Sequence, residues 1–176
     1  MKKSNKQYVF EMVAAAVLIA LKVVLDRFLS YNVWNQRFGF SFIAVAFAAV
    51  ILGTPWAMAV GGLGDIVGAL LFPSGPYFPG FTLTAVLTAL CTALFIRKNA
   101  SLLRITASVL INQLFGSVLL NSLWISILYG KGFIALIPSR IVQCGIMTVL
   151  QITLIYLLFG EKSVIRRRLT KFAAFS

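Results

Sequence analysis

Long stretches without a charged residue limit what this chain can fold into. No Asp, Glu, Lys or Arg occurs in Ile105–Gly130 or in Ile141–Gly160, and Asp65 is the only charged residue in 38–96. A helix that spans a lipid bilayer needs about 20 largely apolar residues. These stretches are long enough to supply several such helices. The sequence therefore predicts an integral membrane protein.

The overall composition agrees with a chain that is surrounded by lipid. Of the 176 residues, 60% are hydrophobic and 11% are charged, whereas charged residues make up about 25% of an average soluble domain. The formal net charge of +12 comes from short basic blocks between the apolar stretches. This distribution is typical of a membrane protein oriented by its cytoplasmic cations, and we expect no nucleic-acid partner.

The composition also excludes several classes of enzyme. The chain has no His, so it lacks Ser-His and Cys-His nucleophile pairs and most kinds of zinc site. Cys91 and Cys144 both lie inside apolar stretches and are interpreted as small buried side chains. We therefore expect no enzyme, no catalytic residue and no metal site. The acidic residues are Glu11, Asp26, Asp65 and Glu161.

Helix-breaking residues divide the apolar stretches into segments. Gly53-Thr54-Pro55 is one interruption, and Pro73–Gly80 is another. The sequence predicts an all-α membrane protein, a single domain over residues 1–176 formed by a bundle of six transmembrane helices. The predicted spans are Tyr8–Phe28, Phe38–Gly53, Pro55–Phe72, Phe81–Ile96, Leu103–Leu128 and Ile134–Phe159.

The basic residues are distributed unequally between the two sides of these spans. With both termini cytoplasmic, 11 Lys and Arg residues fall in inner segments and 4 in outer segments. Because cytoplasmic loops carry an excess of Lys and Arg, we expect both termini in the cytoplasm. Lys22 lies within the first span, and the four outer cations are Arg27, Arg37, Lys131 and Arg140.

One acidic residue, Asp65, lies near the middle of a predicted span. A carboxylate near the bilayer centre costs about 2.5–3.5 kcal/mol, so Asp65 should face protein or a cavity. Gly64 and Gly68 form a small-xxx-small pair that would let neighbouring helices approach closely. Two interpretations of Asp65 stay open, namely an ion pair with an arginine that serves packing and a ligand-binding carboxylate in a polar pocket.

Cations and aromatic residues accumulate toward the outer side. Arg27, Arg37 and Arg140 are either solvated charges or the partners of an anionic ligand, since guanidinium groups bind carboxylates in a bidentate manner. Asn121 would supply amide hydrogen bonds in the same zone. The aromatic residues either form an interfacial belt or cover a flat ligand. The aromatic candidates are Phe72, Tyr77, Phe78, Phe81 and Trp124.

Two alanines form a smooth patch on the first span. Ala16 and Ala20 are four residues apart, so their side chains share one face of a helix. Small residues at this spacing allow close contact between helices in a membrane. The contact is either internal packing or the docking of a partner protein.

Three segments of the chain carry a likeness to a known family. They are 64–85 (GDIVGALLFPSGPYFPGFTLTA), 120–124 (LNSLW) and 137–141 (IPSRI). With these segments, the chain resembles the S components of energy-coupling factor (ECF) vitamin transporters, and among them the folate-specific type. Ala16 and Ala20 match the Ala-xxx-Ala motif through which such subunits meet their partner.

The resemblance implies a membrane subunit that binds folate with high affinity at the outer face of a prokaryotic plasma membrane. Such a subunit docks on one transmembrane coupling protein and two ATPase subunits, and it topples in the membrane to deliver the ligand inward. This chain has no Gly-rich phosphate loop, so its partners would hydrolyse ATP and no cofactor is expected here. Asp65 would bind the pterin ring, the aromatic residues would stack on it, and Arg27, Arg37 or Arg140 would bind the glutamate tail.

Two other functions stay open at this point. The chain could be an S component for riboflavin, thiamine or pyridoxine, although an uncharged vitamin would leave the outer arginines without a role. It could also be a small stand-alone channel or exporter that assembles as an oligomer. A channel needs a polar path across the membrane, and the sequence predicts that the inner halves of the spans are almost purely apolar.

Overall fold

The computed structural model describes residues 5–33, 36–73, 76–97, 100–130, 133–160 and 163. In these ranges the chain is helical apart from one short hairpin, and six helices follow one another. This confirms the predicted helical bundle. The helices are α1 (Asn5–Arg27), α2 (Phe42–Ile51), α3 (Thr54–Leu71), α4 (Pro79–Ile96), α5 (Leu102–Tyr129) and α6 (Phe133–Phe159).

A small β-hairpin, which the prediction lacked, joins α1 to α2. Strand β1 covers Tyr31–Val33 and pairs in antiparallel register with β2, which covers Gln36–Phe38. Tyr31 is opposite Phe38, and Val33 is opposite Gln36. Phe38, with which the second span was expected to begin, is the last residue of β2, and α2 begins at Phe42.

Helix α2 covers ten residues and is shorter at both ends than the predicted span 38–53. Its ten residues measure about 15 Å, half the thickness of the hydrocarbon core of a bilayer. The other five helices contain segments that are long and apolar enough to cross a membrane. Six of the ten residues of α2 are buried, and it packs against α1, α3 and α4. Because protein covers α2, its length does not have to match that of the bilayer.

Proline and glycine set several of the helix boundaries. Pro55 and Pro79 occupy the first turns of α3 and α4, where a missing N–H costs no intrahelical hydrogen bond. Gly53 precedes α3 with a φ of 95° and Gly130 follows α5 with a φ of 63°. Both values lie in the region that glycine adopts most easily.

Helix α5 contains a long π-helical segment in its middle. Residues Asn112–Leu120 are π-helical, between α-helical turns at Leu102–Ile111 and Asn121–Tyr129. The sequence predicts one continuous helix here and contains no obvious sign of the change. π-helical turns are rare and are frequent at functional sites.

Contacts between side chains show how the helices run relative to one another. Gly61 faces Ala85 and Ala89, while Asp65 meets Thr82, so α3 and α4 are antiparallel. The side chain of Lys22 packs against Gly64 and that of Arg27 packs against Gly68, so α1 and α3 are parallel. A Cβ added to Gly61 would lie 2.8 Å from the Cβ of Ala89, which is why α3 and α4 can pack so closely.

Two clusters of buried apolar residues hold one end of the bundle together. The first joins α1, α2, α3 and α4 around residues such as Leu18, Ala49 and Val60. The second joins α2, α4, α5 and α6, and it includes Ile105 and Phe159, which are fully buried. The first cluster uses the first half of α3 and the second uses the first half of α5, and both use the last half of α4.

Candidate ligand-binding site

A cavity of about 650 Å³ lies between the helices, and it includes the ends of α1, α3 and α5 that point away from the apolar clusters. All six helices line it, together with Gly39 and the segment that connects α3 to α4. Ligand pockets commonly measure about 300–1,000 Å³. The cavity is therefore large enough for an organic molecule with several rings.

Most of the residues that the sequence predicts to bind a ligand line the cavity. Seven of the ten line it, whereas Phe72 and Trp124 do not. The side chain of Arg37 lies outside the described part of the structure. The seven are Arg27, Asp65, Tyr77, Phe78, Phe81, Asn121 and Arg140.

Phe72 and Trp124 lie outside the lining of the cavity. Phe72 is 42% exposed, and its ring packs edge-on against Phe28, with the ring centroids 5.2 Å apart. Trp124 lies behind the cavity wall and donates its Nε1–H to Oγ1 of Thr84 over 3.0 Å. Its ring also packs 5.5 Å from that of Phe78. Trp124 thus contacts two residues that line the cavity.

The carboxylate of Asp65 belongs to a chain of hydrogen bonds. The Thr82 hydroxyl donates to Oδ2 of Asp65 over 2.7 Å, and the Tyr77 hydroxyl oxygen lies 3.0 Å from Oγ1 of Thr82. Tyr77 and Asp65 both line the cavity, whereas Thr82 stands behind them. Among the described residues, Asp65 is therefore held by the hydroxyl group of Thr82, and no arginine forms an ion pair with it there.

Two cations of α1 reach the cavity by crossing glycines of α3. A Cβ added to Gly64 would lie 2.6 Å from Cδ of Lys22, and one added to Gly68 would lie 3.2 Å from Nε of Arg27. The two glycines make room for long side chains, in addition to the close helix approach predicted from their spacing. Lys22 is 5% exposed, and the sequence analysis did not count it as a site residue.

Arg140 is buried in the cavity wall. It is 8% exposed, and its Nε has no hydrogen-bond acceptor among the described residues. A buried charged group costs several kcal/mol unless it is paired and hydrogen-bonded. The position of Arg140 therefore favours a negatively charged ligand.

The cavity as a whole has a small excess of positive charge. Its cations are Lys22, Arg27 and Arg140, and its anions are Asp26 and Asp65. Such an excess in a low-dielectric cleft attracts anions. Among the described residues, no three His, Cys, Asp or Glu side chains lie close enough together to bind a metal ion.

Uncharged polar side chains line the deeper part of the cavity, and the sequence analysis missed most of them. They recur every four residues on α4 and α5 and lie eight residues apart on α6, so that each set shares one helix face. Asn112 ties two helices together, because its Nδ2 donates to Oγ1 of Thr92 over 2.9 Å. The rows are Thr84, Thr88 and Thr92 on α4, Gln113, Ser117 and Asn121 on α5, and Gln143 and Gln151 on α6, with the apolar Met147 between them.

These rows correct the expectation that the second halves of α4 and α6 are almost purely apolar. Thr92 lies four residues before the end of α4, and Gln151 lies eight residues before the end of α6. One turn farther on, the same faces carry Ile96 and Ile155, which are 0% and 3% exposed. The polar lining thus ends at buried isoleucines of the second apolar cluster.

Ala16 and Ala20 do not line the cavity and lie on the outer surface of the bundle. Both are exposed, whereas their neighbour Ala15 is 3% exposed and belongs to the first apolar cluster. Val17 and Leu21 are exposed beside them. The patch is therefore available to lipid or to another protein, and internal packing does not account for it.

Comparison with known proteins shows to which family this arrangement belongs. The family model described as "ECF transporter, substrate-specific component" matches residues 10–159. The chain is a member of this family. It is thus a multi-pass membrane component of a transporter and not an enzyme, as the sequence analysis predicts.

Individual relatives share most of the chain. The folate transporter FolT of Clostridium novyi (strain NT) is 36% identical over 157 residues, which cover 89% of this chain and 88% of the relative. The folate transporter FolT of Leuconostoc mesenteroides is 28% identical, over 93% of this chain and 95% of the relative. A crystal structure of FolT bound with folic acid superposes with a TM-score of 0.78 at 32% identity, covering 85% of this chain and 91% of that one.

Proposed function

We propose that this protein is the folate-binding S component of an ECF importer, which captures folate outside the cell and passes it inward. The likeness to FolT bound with folic acid, at a TM-score of 0.78, is the observation that carries this proposal. The FolT relatives support it over nearly the full chain.

The chemistry of the cavity is consistent with folate. Folate combines a flat pterin ring, which has neighbouring N–H donors, with a glutamate tail that carries two carboxylates. Asp65 offers Oδ1 as an acceptor, while Oδ2 is held by Thr82. Lys22, Arg27 and Arg140 supply the cations for the tail, and Tyr77, Phe78 and Phe81 supply rings that can stack on the pterin.

Folate binding to the purified protein tests the proposal. Protein purified in detergent should bind folic acid at one site, without ATP and without any other subunit, as measured by titration calorimetry. Absorbance and mass spectrometry of the same preparation should show whether a pterin is purified with the protein. Saturable binding of riboflavin or thiamine in the absence of folate binding would contradict the proposed specificity.

The proposed transport step depends on partner proteins. The family implies an energy-coupling module, and we infer one transmembrane coupling protein and two ATPase subunits. The docking surface would include Ala16 and Ala20, which are exposed on α1. The module would hydrolyse ATP, since this chain has no Gly-rich phosphate loop.

We further propose that the protein lies in a prokaryotic plasma membrane with both termini in the cytoplasm. The bias of 11 inner against 4 outer cations supports this orientation. The alternating directions of α3, α4 and α5 are consistent with it, because Asp65 meets Thr82 and Trp124 meets Thr84. The cavity would then open toward the outside, where folate is captured.

A further inference from the structure

Two glycines of α3 lie directly under cationic side chains of α1. A Cβ added to Gly64 would lie 2.6 Å from Cδ, 3.3 Å from Cγ and 3.5 Å from Cβ of Lys22. One added to Gly68 would lie 3.2 Å from Nε and 3.5 Å from Nη2 of Arg27. Both glycines are buried. The long side chains of Lys22 and Arg27 therefore run across the backbone of α3 at points where α3 has no side chain.

The space at Gly64 serves one flexible side chain and not the contact of two backbones. The three atoms nearest to an added Cβ there all belong to the side chain of Lys22. At Gly61, by contrast, an added Cβ would meet the carbonyl oxygen of Ala85 at 2.9 Å, so the helices themselves would have to separate. Gly64→Ala is therefore accommodated by displacing Lys22. Because Lys22 is 5% exposed, its displaced ammonium group leaves its place in the cavity wall.

The two crossing points are one helical turn apart on one face of α3. Gly64 and Gly68 are separated by four residues, which is about 6 Å along the helix axis. Lys22 and Arg27 both line the cavity, whereas neither glycine does. The crossings thus bring two positive charges to neighbouring levels of one wall. A glutamate tail carries two carboxylates joined by a short aliphatic chain, so it can meet both cations at once.

We propose that Gly64 and Gly68 are positioning residues of the site, which let Lys22 and Arg27 cross α3 and present two cations to the carboxylates of the ligand tail. Neither glycine touches the ligand, and each acts through the cation that crosses it. This role is distinct from the close helix approach that small residues at this spacing usually serve. The identity of the ligand as folate rests on the function proposed above.

A double-mutant cycle on the purified protein tests the first crossing. Lys22→Ala should weaken folate binding roughly tenfold to a hundredfold, as expected for a charged partner, and Gly64→Ala should weaken it roughly tenfold. In the Lys22→Ala background, Gly64→Ala should have no further effect, because the nearest remaining atom is the Cβ at 3.5 Å, an ordinary contact. If Gly64→Ala binds folate like the wild type, or costs the same factor in both backgrounds, the proposal is wrong.

The second crossing has its own cycle. Gly68→Ala should weaken folate binding in the wild-type background and have no further effect in the Arg27→Ala background. Gly64→Ala should still weaken binding in the Arg27→Ala background, since Lys22 is intact there. A loss from Gly68→Ala that persists without the Arg27 side chain would overturn the role of Gly68.

Pteroate, which lacks the glutamate, separates positioning of the tail cations from general packing. Gly64→Ala and Gly68→Ala should each weaken pteroate binding less than about threefold, while the loss for folate is roughly tenfold. Equal losses for the two ligands would mean that the glycines support the site through packing alone. That outcome would overturn the assignment of the cations to the tail.

A matched control lies on the exposed side of α6. A Cβ added to Gly145 would meet nothing within 4 Å, and Gly145 does not line the cavity. Gly145→Ala makes the same chemical change in a helix and should leave the affinity for folate unchanged. A loss as large as that of Gly64→Ala would attribute both losses to the helix backbone, against the proposal.

A measurement without ligand keeps this proposal separate from the identity of the ligand. Alanine favours a helix more than glycine does, so Gly64→Ala should raise the melting temperature of the ligand-free protein in the Lys22→Ala background. With Lys22 present, the displaced side chain should reduce or reverse that gain. If the wild type does not bind folate, the proposed function fails, and this comparison still judges whether Gly64 acts through Lys22. Equal shifts in both backgrounds would overturn the positioning role even if folate binds.

Discussion

Asp65 and Arg140 line one cavity with opposite charges and different surroundings. Asp65 already accepts a hydrogen bond from a hydroxyl group on one of its two oxygens. Arg140 is more deeply buried, and its Nε has no acceptor among the described residues. At the scale of single residues, a hydrogen bond from the protein holds the Asp65 carboxylate, whereas the Nε of Arg140 depends on an acceptor that the ligand brings.

Asp65→Asn should weaken folate binding about tenfold to a hundredfold. The amide can still accept the Thr82 hydroxyl, but it then presents N–H donors to a ligand edge that also donates. Calorimetry on the purified protein measures the loss. Glu11→Gln is the control, because Glu11 lies outside the cavity and accepts from Nε1 of Trp56. Unchanged affinity together with a lower melting temperature would assign Asp65 to packing.

Arg140→Ala should weaken folate binding at least about thirtyfold, since truncating one partner of a buried charge pair costs roughly 2–5 kcal/mol. The melting temperature of the ligand-free protein should not fall, because the substitution removes a poorly satisfied buried charge. Pteroate, which lacks the glutamate, shows which part of the ligand Arg140 meets. If pteroate binding falls by the same factor as folate binding, Arg140 contacts the ring and not the tail. Arg104→Ala, at an exposed position of α5, is the control.

At the scale of secondary structure, α1 has two faces with different tasks. One face is buried and packs with α2 and α3 through Ala15 and Leu18, and it carries Lys22 to the cavity. The opposite face exposes Ala16, Val17, Ala20 and other apolar side chains. Adjacent residues of one helix therefore serve internal packing and an external surface.

Ala15 and Ala16 form a matched pair for testing the docking surface. Ala16→Trp should abolish folate uptake in cells and leave binding to the purified protein nearly unchanged, because the added ring projects out of the bundle. Ala15→Trp should damage folding and binding together, since that position is 3% exposed and overpacking a core is destabilising. Uptake that survives Ala16→Trp would contradict docking through this face.

The sequence predicts the helices better than it predicts the site, for physical reasons. Lipid requires uninterrupted apolar segments, so composition and the breakers at Pro55 and Pro79 reveal most helices. A charge inside such a segment is conspicuous, which is why Asp65 and Arg140 stand out. Thr82 does not stand out, because its importance comes from a contact with another helix. The shortness of α2 is equally hidden, since a helix covered by protein resembles one covered by lipid in composition.

At the scale of the whole molecule, the proposed orientation can be tested by labelling. In a variant with Cys91 and Cys144 replaced by Ser, Lys131→Cys should react with a membrane-impermeant maleimide in intact cells. Ser163→Cys, just after α6, should react only after the cells are permeabilised. These outcomes follow if both termini are cytoplasmic and α2 returns the chain across the membrane despite its length. Equal labelling of both positions in intact cells would contradict the topology.

The buried isoleucines at the ends of the polar rows affect whether ions can leak through the protein across the membrane. Ile96 and Ile155 close the faces that carry Thr92 and Gln151, so water and ions that enter the cavity meet a dry barrier. An ion crossing such a barrier would lose its hydration at great cost. A receptor of this kind can stay open to a dilute nutrient without conducting ions, so it does not dissipate the membrane potential. For the same reason, it cannot release its ligand inward by diffusion through its own core.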